Sequence, residues 1–158
     1  MSQLELTLAI IKPDAVTSRI AGEIVSIIER HGFRIRGLRM VHLTAAEAEG
    51  FYAVHRGKPF FRGLVKFMTE GPIIVMALER EDAIQKWREL MGATDPEQAA
   101  EGTIRRWFGA STQRNTVHGS DASETARVEV AYFFPEIFSA SSRGPSGKPR
   151  GAGPARRR

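Results

Sequence analysis

The apolar spacing of this chain predicts an α+β sandwich: a four-stranded, mostly antiparallel sheet with helices packed on it, in the ferredoxin-like arrangement. Two observations carry that expectation. Short β-rich runs alternate with helical patterns in the order strand, helix, strand, two helices, strand, helix, long loop, strand, helix. One run, Ile73 to Leu78 (IIVMAL), is continuously apolar, as in a central strand. The helices that join these runs are expected on one face of the sheet.

Leu4 to Ile11 (LELTLAII) opens the chain as a strand and stops at Pro13, which has no N–H for a ladder. From Ala21 to His31 the apolar positions Ile24, Val25, Ile27 and Ile28 oppose Glu23, Glu29 and Arg30, an amphipathic helix that Gly32 ends. Phe33 to Leu43 alternates apolar with basic residues, a half-exposed strand with an irregularity near Gly37. Thr44 and Glu47 form a capping box for a short helix to about Val54. A second short helix is expected over Phe61 to Thr69, broken by Gly71-Pro72. A further helix covers Glu81 to Met91 and ends at Gly92. Ala93 to Arg114 is long and polar, and such connections are functional or partly helical. The last helix spans Ala122 to Phe134, before Pro135.

Composition bounds the rest. With 158 residues, 42% of them apolar, residues 1–138 suffice for one domain with a real core. No apolar run approaches the roughly 20 residues of a membrane span. Cysteine is absent, excluding disulfides and thiolate metal sites. Met1 to Glu5 has no basic stretch leading into an apolar one, so no secretory signal is expected and the setting is read as cytoplasmic. The net charge of +5 is uneven. Residues 139–158 carry Arg143, Lys148, Arg150, Arg156, Arg157 and Arg158 and no acid. Setting those six aside leaves 17 basic against 18 acidic residues, a near-neutral body. The tail, rich in Gly, Pro and Ser without large apolar residues, is expected to be disordered. Nucleic acid could be bound through that tail rather than through the body.

The chemistry concentrates in Asn115-Thr116-Val117-His118-Gly119-Ser120-Asp121. An imidazole stands there among an amide, hydroxyls and a carboxylate, and it can act as a nucleophile when a carboxylate orients it. On the following helix Glu129 falls at the edge of the stripe Ala122, Ala126, Val130 and Phe133. A half-dehydrated carboxylate needs a partner, and His118 and Ser120 are the nearby candidates. Lys12, just past a buried strand, suits a phosphate. Arg88, Arg105 and Arg114 could form a polyphosphate clamp if they converge, which spacing alone does not decide. Read singly, His118 is also compatible with a structural histidine and each cation with a solvated face. His31, His42 and His55 read as structural or surface residues. There is no phosphate-binding glycine loop and no recognised metal-ligand spacing, so any metal would arrive with a substrate, as magnesium does on nucleotide phosphates.

With these residues in place, the stretch from about Leu4 to Phe138 resembles the nucleoside diphosphate kinases. Asn115 to Asp121 is similar to that family's active-site signature. Ile11-Lys12-Pro13-Asp14, Arg56 to Leu64, Gly71-Pro72, Met91 to Pro96 and Gly102 to Arg105 resemble further family motifs, in order. The resemblance implies transfer of a terminal phosphate from a nucleoside triphosphate such as ATP to a nucleoside diphosphate, ping-pong, through a phosphohistidine, with Mg2+ on the nucleotide. By position it implies His118 as nucleophile through Nδ1, Glu129 on the other ring nitrogen and Ser120 supporting Glu129. Lys12 would contact the transferring phosphate and the ribose, with Tyr52 touching both Lys12 and that phosphate. Arg88, Thr94 and Arg105 would bind the other phosphates, Asn115 the 3′-hydroxyl, and Phe60 would stack on the base. It also implies a homo-oligomer, tetramer or hexamer. Two positions depart from the family pattern: Trp107 replaces a usual acid, and Thr112 stands where an apolar residue is common. The alternative function is a phosphohistidine-dependent regulatory or nucleic-acid-binding protein.

Overall fold

The computed structural model describes residues 3–139. The basic tail expected from residue 139 onward lies, apart from Ser139, outside them. Four strands form one sheet: β1 (Leu4–Ile11), β2 (Arg34–Val41), β3 (Ile73–Glu81) and β4 (Val117–Gly119). Their spatial order is β2-β3-β1-β4 and every neighbouring pair is antiparallel. Eight helices accompany them among the described residues: α1 (Pro13–Thr17), α2 (Ala21–Arg30), α3 (Ala45–Phe51), α4 (Phe61–Met68), α5 (Ala83–Met91), α6 (Ile104–Phe108), α7 (Ser123–Phe133) and α8 (Pro135–Ser139).

The helices lie on both faces of the sheet, not on one. The pleat sends Ala9, Ile11, Ile74, Met76 and Leu78 to one side, where they pack with Ile24 and Ile28 of α2 and Trp87, Leu90 and Met91 of α5. Leu8, Ile10, Ile73, Val75 and Ala77 point to the other side, among Ala48 of α3, Phe67 and Met68 of α4, and Val130 and Phe133 of α7. The cause is visible in the continuous run Ile73 to Leu78: six consecutive apolar side chains alternate between two faces, and both must be covered. Topology supplies the second layer from the helices between β2 and β3 and from the helix after β4.

Local chemistry explains the element ends. Pro13 stops β1 and also starts α1, whose first residue needs no N–H donor. The Thr44–Glu47 capping box forms with both hydrogen bonds. The irregularity near Gly37 is a register shift between Ile35 and Gly37 against β3. Gly37 is required there, because a Cβ would stand 2.8 Å from the Phe134 ring. Glu81 belongs to β3, not to the following helix, since β3 stays paired with β1 up to Leu4↔Glu81. Asp82, with φ 50°, then turns the chain without capping α5 by its own side chain. The cap comes from across the sheet, where Glu5 Oε1 accepts from the Ile84 N–H at 2.9 Å. The long polar stretch contains α6, with Thr103 as its N-cap. Among the described residues no helix is long and apolar enough to cross a membrane.

Candidate active site

The sheet order brings the chemistry together. β4 pairs with β1 in the register Ile10↔His118, and the Lys12 N–H continues that ladder to the Thr116 carbonyl at 2.9 Å. Residues 106 positions apart in the chain thereby face one open cavity of about 1190 Å³. Lys12, Tyr52, Arg88, Thr94, Arg105, Asn115 and His118 all line it.

His118 is held from three directions. Its Nε2 lies 3.0 Å from Glu129 Oε1, and the Ser120 hydroxyl donates to the same oxygen at 2.9 Å. A carboxylate only accepts, so Nε2 carries the hydrogen and Nδ1 keeps its lone pair. Ser120 is fully buried and accepts in turn from the Leu8 N–H at 3.2 Å, fixing the carboxylate to β1. The rings of Phe51 and Tyr52 meet the imidazole edge to face at 5.6 and 6.1 Å. Below, the Trp87 indole N–H donates to the His118 carbonyl at 3.0 Å. Gly119 has no alternative here: a Cβ would stand 2.5 Å from Trp87 and 2.6 Å from Met91.

Lys12 and Arg105 are buried, and Arg88 stands exposed near Arg105. Lys12 is 7% exposed and Nζ donates to Asn115 Oδ1 at 2.7 Å. Burial, then the Arg105 charge, push its ammonium down to about 8, with Asp14 opposing. Arg105 donates from Nη1 to the Gly92 carbonyl and from Nη2 to the Val117 carbonyl, both at 2.9 Å. Its Nε is buried with no hydrogen-bond partner. Burial, followed by Arg88, lowers Arg105 to about 10, still charged at neutral pH. Arg88 is paired with Asp121 in an exposed contact of the kind worth ~0–1 kcal/mol. Asn115 is locked by its amide, which donates to the Thr94 and Thr112 carbonyls at 3.0 Å each. Burial depresses both Lys12 and Arg105, with Arg105 adding to the first and Arg88 to the second, and such a half-dehydrated site favours an anion.

Phe60 does not line the cavity; it is half-exposed and packs against His55 at 5.3 Å. His55 and Leu64 line the cavity in that region. Of the two readings open for His55, structural or surface, its half-buried ring fits the structural one. It stacks on Tyr52 at 6.3 Å, and burial, then Lys58, lower its pKa. Arg114 pairs with Glu70 outside the cavity lining. Tyr52 is buried, with its hydroxyl unpartnered, and burial, then Glu129, raise its pKa. Sequence reasoning also passed over Phe51 and Trp87, whose ordinary helical positions carry no local signal, and gave Asp14 no role beyond its place in the motif Ile11 to Asp14. Thr116 is a further surprise. Its φ of 76°, with the Val117 N–H donating to the Asn115 carbonyl at 2.8 Å, makes a γ-turn of the strained hand, a cost of about 1–3 kcal/mol.

Residues 5–137 match the family model described as nucleoside diphosphate kinase. The chain belongs to the nucleoside diphosphate kinase family. It is 63% identical over 134 residues to the nucleoside diphosphate kinase of Nitrosospira multiformis, covering 85% of this chain and 95% of that one. To the enzyme of Sorangium cellulosum it is 59% identical over 131 residues, covering 83% and 91%. The fold is similar to that of the Aquifex aeolicus nucleoside diphosphate kinase, with a TM-score of 0.82, 42% identity, and coverage of 84% and 96%. It is likewise similar to the halophilic nucleoside diphosphate kinase of Halobacterium salinarum in complex with CDP, with a TM-score of 0.80, 40% identity, and coverage of 84% and 88%. As a nucleoside diphosphate kinase the protein transfers the terminal phosphate of a nucleoside triphosphate to a nucleoside diphosphate in two half-reactions, through a phosphohistidine.

Proposed function

We propose that His118 is the residue phosphorylated in this reaction. In the first half, Nδ1 attacks the terminal phosphorus of the triphosphate. The N–P bond forms, the bond to the bridging oxygen breaks, and the diphosphate leaves with the electron pair. The second half runs the same step backwards onto another diphosphate. Phosphoryl transfer is mostly positioning and charge stabilisation, and this chain's residues divide that work. Glu129 holds the Nε2 hydrogen and stabilises the cationic ring, with Ser120 fixing the carboxylate. Lys12, with Tyr52 against the same site, meets the transferring phosphate and the ribose. Arg88, Thr94 and Arg105 take the remaining phosphates, and Asn115 the 3′-hydroxyl. Phe60 supplies a stacking face from beside His55, which suits any base. Mg2+ enters as part of the nucleotide substrate and offsets its phosphate charge. The single observation that supports the reading most is the His118–Glu129–Ser120 chain, whose imidazole lines one cavity with Lys12, Arg88 and Arg105. Residues 1–138 are the kinase domain and 139–158 an appended basic tail, and the protein works in the cytoplasm as a tetramer or hexamer.

The test is incubation with γ-labelled ATP. The expected product is an acid-labile, base-stable label on the protein, chased off by a diphosphate. Glu129→Gln should slow that labelling with little change in nucleotide affinity, since the carboxylate orients the ring; a large loss of affinity instead would contradict its role. The same label would be absent if His118 were a mere binding residue.

The pH dependence has a definite sign. Lys12 must be charged to meet phosphate, and its ammonium in the free enzyme is lost as pH rises through about 8. The quantity kcat/KM, which reports free-enzyme ionisations, should therefore fall on the alkaline side from about pH 8. A profile flat to pH 10, near the ordinary lysine value, would remove Lys12 from this role.

A further inference from the structure

Asp14 lies on α1, two residues after Lys12, and its carboxylate Oδ2 accepts from the Thr116 N–H at 3.1 Å. That N–H belongs to the strained residue of the γ-turn. The Thr116 carbonyl is held from the same segment by the Lys12 N–H at 2.9 Å. Both backbone groups of Thr116 are therefore clamped by residues 12 to 14. The turn sets the direction of the two residues flanking it. Asn115 before it receives the Lys12 ammonium, and Val117 after it begins the strand that carries His118. Thr116 is a β-branched residue in a conformation that such residues rarely hold without an external grip. Its side chain is fully buried, and its own hydroxyl has no hydrogen-bond partner, so the grip comes through the backbone.

We infer that Asp14 is a positioning residue for phosphoryl transfer: its carboxylate holds Thr116 in the left-handed turn that aims His118 and Asn115. The same carboxylate is the charge that favours the Lys12 ammonium against Arg105. The inference rests on reading His118 as the phosphorylated residue and Lys12 as its phosphate contact. The charged groups facing Lys12 are Arg105 from α6, which opposes its charge, and Asp14 from α1, which favours it; Arg114 shares the Phe67 ring with it.

The two functions of the carboxylate separate by substitution. Asp14→Asn keeps an oxygen that can accept from Thr116 but removes the charge. Its phosphorylation rate near neutral pH should stay close to the parent's, and the alkaline fall in kcat/KM should move to lower pH. Asp14→Ala removes both, and its single-turnover phosphorylation by γ-labelled ATP should slow by about tenfold to a hundredfold, the scale of a displaced reacting group. Adding Thr116→Gly to Asp14→Ala should restore most of that loss, because glycine takes a positive φ without strain. A carboxylate that merely stabilised the fold would lower the melting temperature of the variants and leave the pH profile of Asp14→Asn unmoved. An unmoved profile, a parental rate in Asp14→Ala, or a double variant no faster than Asp14→Ala would each overturn the inference. If Asp14→Ala does not fold, the double variant decides: phosphorylation near the parental rate supports the grip on Thr116, and a deficit of about a hundredfold overturns it. Failure of the parent protein to form any phosphohistidine would instead sink the reading of His118, independently of Asp14.

Discussion

His118→Ala is expected to abolish ATP-to-GDP phosphate transfer, by on the order of 10³-fold or more, with the fold retained. No other imidazole can stand in. His31 lies on α2's end against the Ile27 carbonyl, and His42 is paired with the Thr69 carbonyl, both outside the cavity lining. His55 does line the cavity, but its ring stacks on Tyr52 and its Nδ1 faces Lys58, with no carboxylate within hydrogen-bond reach to orient it. The fold should survive because β4 is held through its backbone to β1, which alanine preserves. The substitution strands Glu129 with Ser120 as its remaining partner, a loss of about 1 kcal/mol. A coupled transfer assay alongside a thermal melt checks both halves. Turnover above about five per cent of the parent in a folded variant would place the nucleophile elsewhere.

Trp87→Ala should have the largest effect on stability. Trp87 is fully buried in the layer between α5 and the sheet, meets Phe33 edge to face at 6.1 Å, and packs against Gly119. Truncating such a side chain costs about 3–5 kcal/mol. For a domain of this size that corresponds to a melting temperature lower by roughly 10 °C. The variant also loses the hydrogen bond to the His118 carbonyl, so residual folded protein should phosphorylate more slowly than the parent. A melting temperature within about 2 °C of the parent would show that the layer collapses around the gap without cost.

What the sequence disclosed and what it withheld divide along chain distance. Strand β1, the helix over residues 21–30, the capping box at Thr44 and the bulge at Gly37 follow from neighbouring residues alone, and each is present. The His118–Glu129 pair was legible because eleven residues, a turn and a helix join them. The second helical layer was also implicit in Ile73 to Leu78, although the element order suggested a single covered face. Contacts made across the sheet left no local trace. Glu5 capping α5, Trp87 beneath His118 and Asp14 gripping Thr116 each join residues 31 or more positions apart. The place of Phe60 beside the cavity instead of in its lining is of the same kind. His55 stands at the cavity's edge between Tyr52 and Phe60, a place that the spacing of those three residues does not announce.

The pairing Ile10↔His118 makes the identity of the reactive group a matter of parity. Side chains alternate along a strand, and β4 has only three residues. Val117 is fully buried with the α5 layer and Gly119 abuts Trp87, while His118 faces Phe51, Tyr52 and Glu129. An insertion of one residue in the loop between Gly109 and Arg114 leaves that parity unchanged, although it displaces the Thr112 carbonyl that receives the Asn115 amide. The same insertion between Thr116 and His118 would turn the imidazole through the sheet, into the space that Trp87 and Met91 leave only for a hydrogen atom. The loop's length therefore leaves the facing of His118 alone, while a residue gained or lost within β4 reverses it.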